Sequence, residues 1–415
     1  MRLLVLLAAA STALLLQAGA AEASGYVRYG LQDDAWLTFG PGTLDERLDT
    51  LDRMGVKLVR YTLEWNAIEA RKGKPEWDRS DAILRGLEER GMVPVVTIWG
   101  TPRWANGGQS PNWVPSSKWT FAGFARRAAD RYPFVKHWLI WNEPNQRRWL
   151  RPASARMYTQ TLLNPAFAAI HAATPGAKVG GGVTAPRGST GGVSPVDFIR
   201  GMDAAGARLD AYAHNPYPLR PFETPTAGGC GHCETITMAT IDRLVREVGR
   251  AFGRKRIWLT EYGYQTNPPD RFLGVSPALQ ARYLADAAHR AYATPYVDML
   301  IQYLYKDEPD AARWQSGLVT SGGSAKTALR AAILPLAQVA RRGLTTTVWG
   351  QVRPEHGRQQ YILQQFRNGG WRSVGGPRTT TARGFLTRTI RAGKGAKLRI
   401  WYPRDAVASP LLRVS

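Results

Sequence analysis

The chain has 415 residues, of which 44% are hydrophobic, and this size suits one large domain together with a smaller one. Its formal net charge is +23, from 55 Lys and Arg against 32 Asp and Glu. No recognised nucleic-acid-binding motif accompanies this charge, which argues against nucleic acid as a partner. Beyond the N-terminal leader, no segment has the ~20 consecutive apolar residues that a membrane span requires.

The N-terminus predicts a secretory signal over residues 1–23. Arg2 supplies the positive end, and the run from Leu3 to Leu16 supplies the apolar core. Small residues at Ala18-Gly-Ala20 or Ala21-Glu-Ala23 fit a cleavage site. We therefore expect a secreted protein, either extracellular or associated with the cell surface. An uncleaved membrane anchor is the alternative.

Strand-like and helix-like segments alternate through residues 24–343. The sequence predicts strands at Tyr26–Gln32, Lys57–Leu63, Val93–Trp99, Val135–Trp141, Lys178–Val183, Leu209–His214, Arg256–Thr260 and Asp298–Tyr303. Amphipathic patterns between them predict helices, the fourth over Ser154–Ala173 with a kink or break at Pro165, and the last over Ser324–Gly343. Eight such alternations predict an α/β fold, the (β/α)8 or TIM barrel.

Residues 344–415 have a different pattern, because short segments of alternating apolar and polar residues are separated by turns such as Gly369-Gly370. This pattern predicts a small C-terminal antiparallel β-sandwich of the immunoglobulin-like kind, without the cysteine pair of antibody domains. From Arg341 onward, 15 Arg and Lys stand against only Glu355 and Asp405, a net charge of +13. This charge indicates either a solvated surface or contact with an anionic cell-surface polymer.

The two cysteines of the chain, Cys230 and Cys233, have the Cys-x-x-Cys spacing of redox dithiols. A loop rich in Pro and Gly surrounds them, rather than the strand and helix of a thioredoxin-like unit. In an exported chain this context favours a disulfide between them. His232 alone is too little for a zinc site, which needs four ligands. The sequence therefore predicts no metal and no cofactor.

Two glutamates stand at the ends of predicted strands. Glu143 follows the fourth strand and precedes Pro144, and Glu261 follows the seventh strand shortly before Gly263. The carboxyl ends of barrel strands meet at one face, so both side chains are expected in the same cleft. A pair of carboxylates in such a cleft is suited to cleaving a glycosidic bond, with one acting as acid and the other as nucleophile.

The segment Trp141-Asn-Glu-Pro144 resembles the strand-four motif of clan A glycoside hydrolases, a superfamily of retaining (β/α)8 enzymes. The layout from Tyr26 to Gly343 is similar to that of families 39 and 5. The resemblance implies that Glu143 is the acid/base and Glu261 the nucleophile. It also implies that Asn142 donates a hydrogen bond to the sugar 2-hydroxyl.

Further site residues follow from the same resemblance. Arg60 matches the arginine on strand two whose charge keeps the nucleophile ionised. His214 and Tyr217 match the strand-six His and Tyr, so that Tyr217 would donate to Glu261 and His214 would bind sugar. Many relatives have one residue between that His and Tyr, and this chain has two. Which of His214, Asn215 and Tyr217 reaches the site is therefore open.

Aromatic and acidic residues near strand ends are further candidates for binding sugar. Many relatives end strand eight with a tryptophan platform, for which Tyr303, Tyr305 or Trp314 is the replacement here. Trp99 is expected either to stack on a sugar face or to pack between helix and strand. Asp33 and Asp34, at the end of strand one, are expected either to bind sugar hydroxyls or to form a turn.

The leading hypothesis is a secreted retaining glycosidase that acts on a plant or microbial polysaccharide or oligosaccharide. Two alternatives belong to other classes: a carbohydrate-binding barrel without activity, and a thiol redox protein using Cys230 and Cys233. The sequence does not determine the sugar, the linkage, exo or endo action, or the oligomeric state.

Overall fold

A computed structural model describes residues 26–231, 233–353 and 357–415 of the chain. The predicted signal, residues 1–23, and His232 lie outside the described residues. Within them, eight parallel strands pair in chain order, and the last pairs with the first to close a barrel. The predicted (β/α)8 barrel is therefore confirmed. Its strands are β1 Arg28–Gln32, β2 Leu58–Glu64, β3 Val93–Trp99, β4 His137–Ile140, β5 Lys178–Thr184, β6 Ala211–His214, β7 Arg256–Tyr262 and β8 Val297–Tyr303.

Helices connect the strands and cover the outside of the barrel. Several begin at capping residues that the sequence supplies, as at Thr43, whose hydroxyl accepts from the backbone N–H of Glu46. The helices are α1 Asp34–Phe39, α2 Leu44–Arg53, α3 Trp65–Ile68, α4 Asp78–Glu89, α5 Lys118–Arg131, α6 Ala155–Met157, α7 Asn164–Ala173, α8 Pro195–Ala204, α9 Ile241–Phe252, α10 Pro277–Ala293 and α11 Thr327–Ile333.

The expected kink or break at Pro165 takes the form of a π-helical segment, Tyr158–Leu163, between α6 and α7. Proline has no N–H to donate, and Pro165 lies in the first turn of α7, where helices tolerate it. The wider π turn joins the two α-helical segments without leaving the helical path. One nearly continuous helical stretch therefore covers β4 and β5.

The inside of the barrel is filled by apolar side chains from strands β2 to β8. Trp258 of β7 is the bulkiest of them and is buried together with Leu139. It occupies the space beside β5, where a Cβ on Gly180 would lie 2.7 Å from the Trp258 ring and 2.8 Å from Leu139. Glycine at position 180 thus makes room for a tryptophan inside the barrel. The packed interior stabilises the carboxyl ends of the strands, where the side chains of the site are placed.

After the barrel, two antiparallel sheets form the C-terminal domain. One sheet has the order β14-β10-β9, and the other contains β12-β11-β15-β16 with β13 and β17 at its sides. Val348 and Ile390 from the first sheet share a core with Leu363 and Ile400 from the second. The predicted β-sandwich is therefore confirmed. Its strands are β9 Leu336–Arg342, β10 Thr345–Gln351, β11 Gln360–Arg367, β12 Gly370–Ser373, β13 Arg378–Thr379, β14 Phe385–Arg391, β15 Lys397–Tyr402, β16 Val407–Ala408 and β17 Leu412–Arg413.

The predicted last helix, Ser324–Gly343, is wrong in its second half. Helix α11 ends at Ile333, two residues before Pro335, because proline restricts the residue before it and cannot continue a helix. The residues that follow form β9, which pairs antiparallel with β10. The expected boundary between residues 343 and 344 thus falls inside a β-hairpin, and the C-terminal domain begins near Leu334.

The C-terminal domain packs on the side of the barrel near α10 and β1. The rings of Trp349 and Phe385 lie 5.4 and 4.9 Å, between centroids, from the ring of Tyr292 on α10. The Arg353 guanidinium lies 3.9 Å from the centroid of Tyr29 on β1. In the part of the chain that the structure describes, no helix is long and apolar enough to cross a membrane.

Candidate active site

Glu143 lies in a tight turn directly after β4. Trp141 and Glu143 have φ of 71° and 42°, the left-handed region that non-glycine residues rarely adopt. Backbone hydrogen bonds hold the turn: the Trp141 N–H donates to the Ile98 carbonyl at 2.9 Å, and the Glu143 N–H donates to the Val183 carbonyl at 3.0 Å. The turn is thus fixed to both neighbouring strands, and it directs Glu143 into a cavity at the barrel mouth.

Glu261 lies on β7, where Arg60 of β2 forms a buried ion pair with it. The distance from the Arg60 guanidinium to Glu261 Oε1 is 2.6 Å, and the Arg60 side chain is 1% exposed. Arg60 also donates to the Thr97 hydroxyl at 2.9 Å and to Asn142 Oδ1 at 2.8 Å. These contacts fix the guanidinium, so its charge acts on Glu261 in a poorly solvated site.

Asn215 and Tyr217, in the loop after β6, contact the two carboxylates. Asn215 Nδ2 donates to Glu143 Oε1 at 3.1 Å, while its Oδ1 accepts from the Thr260 hydroxyl at 2.8 Å. The Tyr217 hydroxyl donates to Glu261 Oε2 at 3.2 Å. The sequence left open which of His214, Asn215 and Tyr217 reaches the site. In the structure, Asn215 and Tyr217 contact the two glutamates.

The sequence-based expectation that His214 binds sugar is not supported, because its side chain lies away from the cavity. His214 is fully buried, and its ring hydrogen-bonds to the Thr184 hydroxyl at 2.8 Å and to the Ile236 carbonyl at 3.0 Å. Burial lowers the pKa of His214 to about 4, so the ring is neutral at physiological pH. His214 stabilises the packing of β5 and β6 beneath the site.

The surroundings of the two glutamates favour a proton on Glu143. Burial, followed by the charge of Glu261, raises the pKa of Glu143 to about 7. Burial also raises the pKa of Glu261, while the charge of Arg60 and the Tyr217 hydroxyl oppose this rise. Only Glu261 has a guanidinium in direct contact, so near neutral pH the negative charge of the pair resides there and the proton resides on Glu143.

The cavity between the strand ends has a volume of about 370 Å³ and is open to solvent on one side. Glu143, Glu261, Asn142, Arg60 and Tyr217 line it. So do the predicted aromatic residues Trp99, Tyr303 and Trp314, and the Trp314 ring lies 5.1 Å from Tyr217 and 5.5 Å from Tyr303. Tyr305 packs instead on Trp36, with ring centroids 4.2 Å apart. An aromatic wall thus stands beside Glu261, where a sugar face can stack.

Asp33 does not line the cavity, and its expected sugar-binding role is corrected to a structural one. Its carboxylate accepts from the backbone N–H of Trp36 at 2.9 Å, which caps α1, and from the backbone N–H groups of Tyr305 and Lys306. The neighbouring Asp34 lines the cavity and accepts from the Thr62 backbone and hydroxyl. Adjacent residues at a strand end face opposite ways. Asp33 therefore caps a helix, while its neighbour Asp34 faces the cavity.

Sequence reasoning also missed several residues that line the cavity. They share one property, a position in the last residues of a barrel strand or in the loop that follows it, which was the available signal. Trp149 is an example, because it lies in the loop after β4 and lines the cavity, with its ring 5.7 Å from that of Trp99. The others include Gln32, Thr62, Gln146, Arg148, Arg187, Arg220, Tyr264 and Gln265.

Cys230 and Cys233 form a disulfide in the loop between β6 and α9. The loop is held by Arg243, which donates to the Cys233 carbonyl. Neither cysteine lines the cavity, and no βαβ unit surrounds them, so the redox hypothesis has no structural support. Among the residues that the structure describes, no group of three or more His, Cys, Asp or Glu side chains is arranged to hold a metal ion.

No family model matches the sequence, and no curated protein matches it. Solved structures do match. A family 39 glycoside hydrolase from Bacteroides cellulosilyticus has a TM-score of 0.62 and 17% identity, over 87% of this chain and 78% of that one. A monomeric beta-xylosidase from Caulobacter crescentus has a TM-score of 0.57 and 14% identity, over 89% and 96%. A glucosidase from Croceicoccus marinus has a TM-score of 0.59 and 15% identity, over 95% and 98%. At these identities the matches establish the fold, and the expected likeness to family 39 is confirmed as a likeness of architecture.

Proposed function

We propose that this chain is a retaining glycoside hydrolase with Glu143 as acid/base and Glu261 as nucleophile. The observation that carries the proposal is the different environment of two carboxylates in one cavity: Glu261 is paired with Arg60, whereas among the described residues no cation forms an ion pair with Glu143, whose pKa is raised to about 7. A double displacement needs this difference, because one carboxyl must hold a proton while the other holds a charge.

In the first step, a Glu261 carboxylate oxygen attacks the anomeric carbon and forms a glycosyl ester. The bond from that carbon to the leaving oxygen breaks, and Glu143 transfers its proton to that oxygen. Asn215 holds Glu143 through Oε1. Because Arg60 occupies Asn142 Oδ1, the amide nitrogen of Asn142 is the group available to donate to a sugar hydroxyl.

In the second step, Glu143, now ionised, accepts a proton from water, and the water oxygen attacks the anomeric carbon. The ester bond breaks, Glu261 regains its charge, and Glu143 regains its proton. Arg60 and Tyr217 stabilise the departing carboxylate through the contacts they make with Glu261 in the free protein. The sugar leaves with its original anomeric configuration.

The test is a screen of aryl glycosides and polysaccharides, with the anomeric form of the first product followed by NMR. We expect retention of configuration, and we expect Glu261→Ala to abolish turnover. Glu143→Ala should lose hydrolysis of slow leaving groups while keeping the first step on activated aryl glycosides. Glu88→Ala, an exposed glutamate on α4, is the matched control. Full activity in both cavity variants would refute the assignment, and binding without turnover in the unaltered protein would favour the carbohydrate-binding barrel.

We also propose that the chain is exported and that its basic C-terminal domain holds it on an anionic cell-surface polymer. Support comes from the predicted signal and from the outer face of the second sheet. There the Arg399 guanidinium lies 4.2 Å from the ring of Trp371 and 5.6 Å from that of Trp401. We expect the full chain to cosediment with polygalacturonate at low salt. Cosedimentation should be lost in 1 M salt and weakened in Arg399→Gln. Equal sedimentation with a neutral glucan would contradict it.

A further inference from the structure

Three arginines stand on the rim of the cavity, in the loops that follow three neighbouring strands. Arg148 follows β4, Arg187 follows β5 and Arg220 follows β6. Each is exposed, and among the described residues no carboxylate forms an ion pair with any of them. One wall of the cavity therefore presents three positive charges that the protein does not neutralise.

Local contacts position these arginines, and none of these contacts is a hydrogen bond from a guanidinium to a carboxylate. The Arg148 guanidinium lies 5.6 Å from the ring centroid of Trp149, and the Arg220 guanidinium lies 5.9 Å from that of Phe222. The Arg187 carbonyl accepts from the side chain of Gln146 at 2.6 Å, which fixes its backbone. Contact with an aromatic ring orients a guanidinium and leaves its N–H groups free for a ligand.

The opposite wall carries the opposite charge. Asp34 and Glu64, after β1 and at the end of β2, line the cavity there. Asp34 is fixed by Thr62, and a fixed carboxylate accepts hydrogen bonds from sugar hydroxyls. The charges of the rim are thus separated by side, negative near β1 and β2 and positive from β4 to β6.

Glu143 lies on the positive side of this division, since it follows β4 and is held by Asn215 from the loop after β6. The acid of a glycosidase gives its proton to the oxygen of the leaving group. The part of the substrate that departs must therefore lie next to Glu143, and it faces the three arginines. The sugar that forms the ester then lies toward Asp34 and Glu64.

We propose that Arg148, Arg187 and Arg220 form a binding site for an acidic sugar on the leaving-group side of the cleaved bond, a residue that bears a carboxylate or a sulfate. This inference rests on the glycosidase function proposed above and names its substrate class. Guanidinium groups bind both anions in bidentate geometry, and three of them select an anion over a neutral sugar of the same shape.

The test compares three disaccharides that share one transferred sugar. The departing residue is glucuronic acid in the first, glucose in the second, made by carboxyl reduction, and glucose 6-sulfate in the third. We expect kcat/KM for at least one anionic disaccharide to exceed that for the neutral one by about tenfold at low salt. This ratio should fall toward one in 1 M salt, where the Debye length is about 3 Å. Preference for the carboxylate or for the sulfate identifies the natural anion.

Variants assign the effect to the rim. Arg148→Gln, Arg187→Gln and Arg220→Gln should each lower the ratio of anionic to neutral kcat/KM several-fold. Arg246→Gln, at an exposed arginine on α9 outside the cavity, should keep it. Equal kcat/KM for the acidic and neutral disaccharides, or a ratio that the rim variants leave unchanged, overturns the inference while the proposed function stands. Failure to cleave any aryl glycoside overturns the proposed function itself.

Discussion

Replacing Tyr217 with phenylalanine tests how Glu261, the proposed nucleophile, is kept ionised. The Tyr217 hydroxyl donates to Glu261 Oε2 at 3.2 Å inside a buried site. A hydrogen bond to a charged group contributes about 1.5–3 kcal/mol. Since this one is longer than the ~2.7–2.8 Å that is usual between oxygens, the lower end applies, about 1.5 kcal/mol. One pKa unit corresponds to about 1.4 kcal/mol, so the loss raises the pKa of Glu261 by about one unit.

The assay is the pH dependence of kcat/KM on an aryl glycoside. If Glu261 is the nucleophile, the acid limb of this profile reports its protonation, and a higher pKa moves that limb upward, by about one pH unit in Tyr217→Phe. Tyr29→Phe is the matched control, because it also removes a hydrogen-bonded tyrosine hydroxyl, a partly buried one that donates to the Ala288 carbonyl at 2.7 Å outside the cavity. An unmoved acid limb in Tyr217→Phe, or an equal shift in Tyr29→Phe, would refute the reasoning.

Three further predictions concern the acid and the core. In the unaltered enzyme, kcat/KM should decline above about pH 7, because Glu143 must be protonated and its pKa is raised to about 7; a profile flat to pH 9 would count against Glu143 as the acid. Glu261→Gln removes the neighbouring negative charge and should lower the pKa of Glu143, as measured by carboxyl ¹³C titration; a rise would contradict the coupling. Gly180→Ala should destabilise the fold by about 1–3 kcal/mol in denaturant unfolding, because its Cβ meets the Trp258 ring. Gly176→Ala, whose Cβ meets nothing within 4 Å, should change stability far less, and equal losses would show that crowding is not the cause.

The sequence was sufficient for the barrel and for the placement of Glu143 and Glu261 in one cavity. Strand-length apolar runs that end in polar residues carry that information, since the carboxyl ends of parallel strands converge. The sequence was insufficient for deciding which of two adjacent residues contacts the site. Asp33 and His214 do not line the cavity, whereas the adjacent Asp34 lines it and the adjacent Asn215 donates to Glu143. Which neighbour faces inward depends on where the strand stops, and contacts made far along the chain decide that.

The segment after Ile333 shows a second limit. Leu336–Arg342 has the composition of a helix, with two alanines, a leucine and two arginines, yet it forms β9. Its pairing with β10 and the burial of Leu336 and Ala337 override local propensity. Only the position of Pro335 pointed to a break. The Arg148, Arg187 and Arg220 rim was equally hidden, because loops distant in sequence bring the three residues together.

The closure of the barrel by β1 and β8 has a consequence for how the chain folds during synthesis. Gln32 pairs with Tyr303, so β1 cannot pair with β8 until most of the protein has been synthesised. At about 5–20 residues per second, that delay is on the order of tens of seconds. Throughout it, β1 offers an unpaired edge on which a second nascent chain can add a strand. Arg353, which covers Tyr29 on that strand, arrives later still. A chain cut off before β9 would leave this side of the barrel uncovered, and aggregation rather than loss of chemistry would be its first defect.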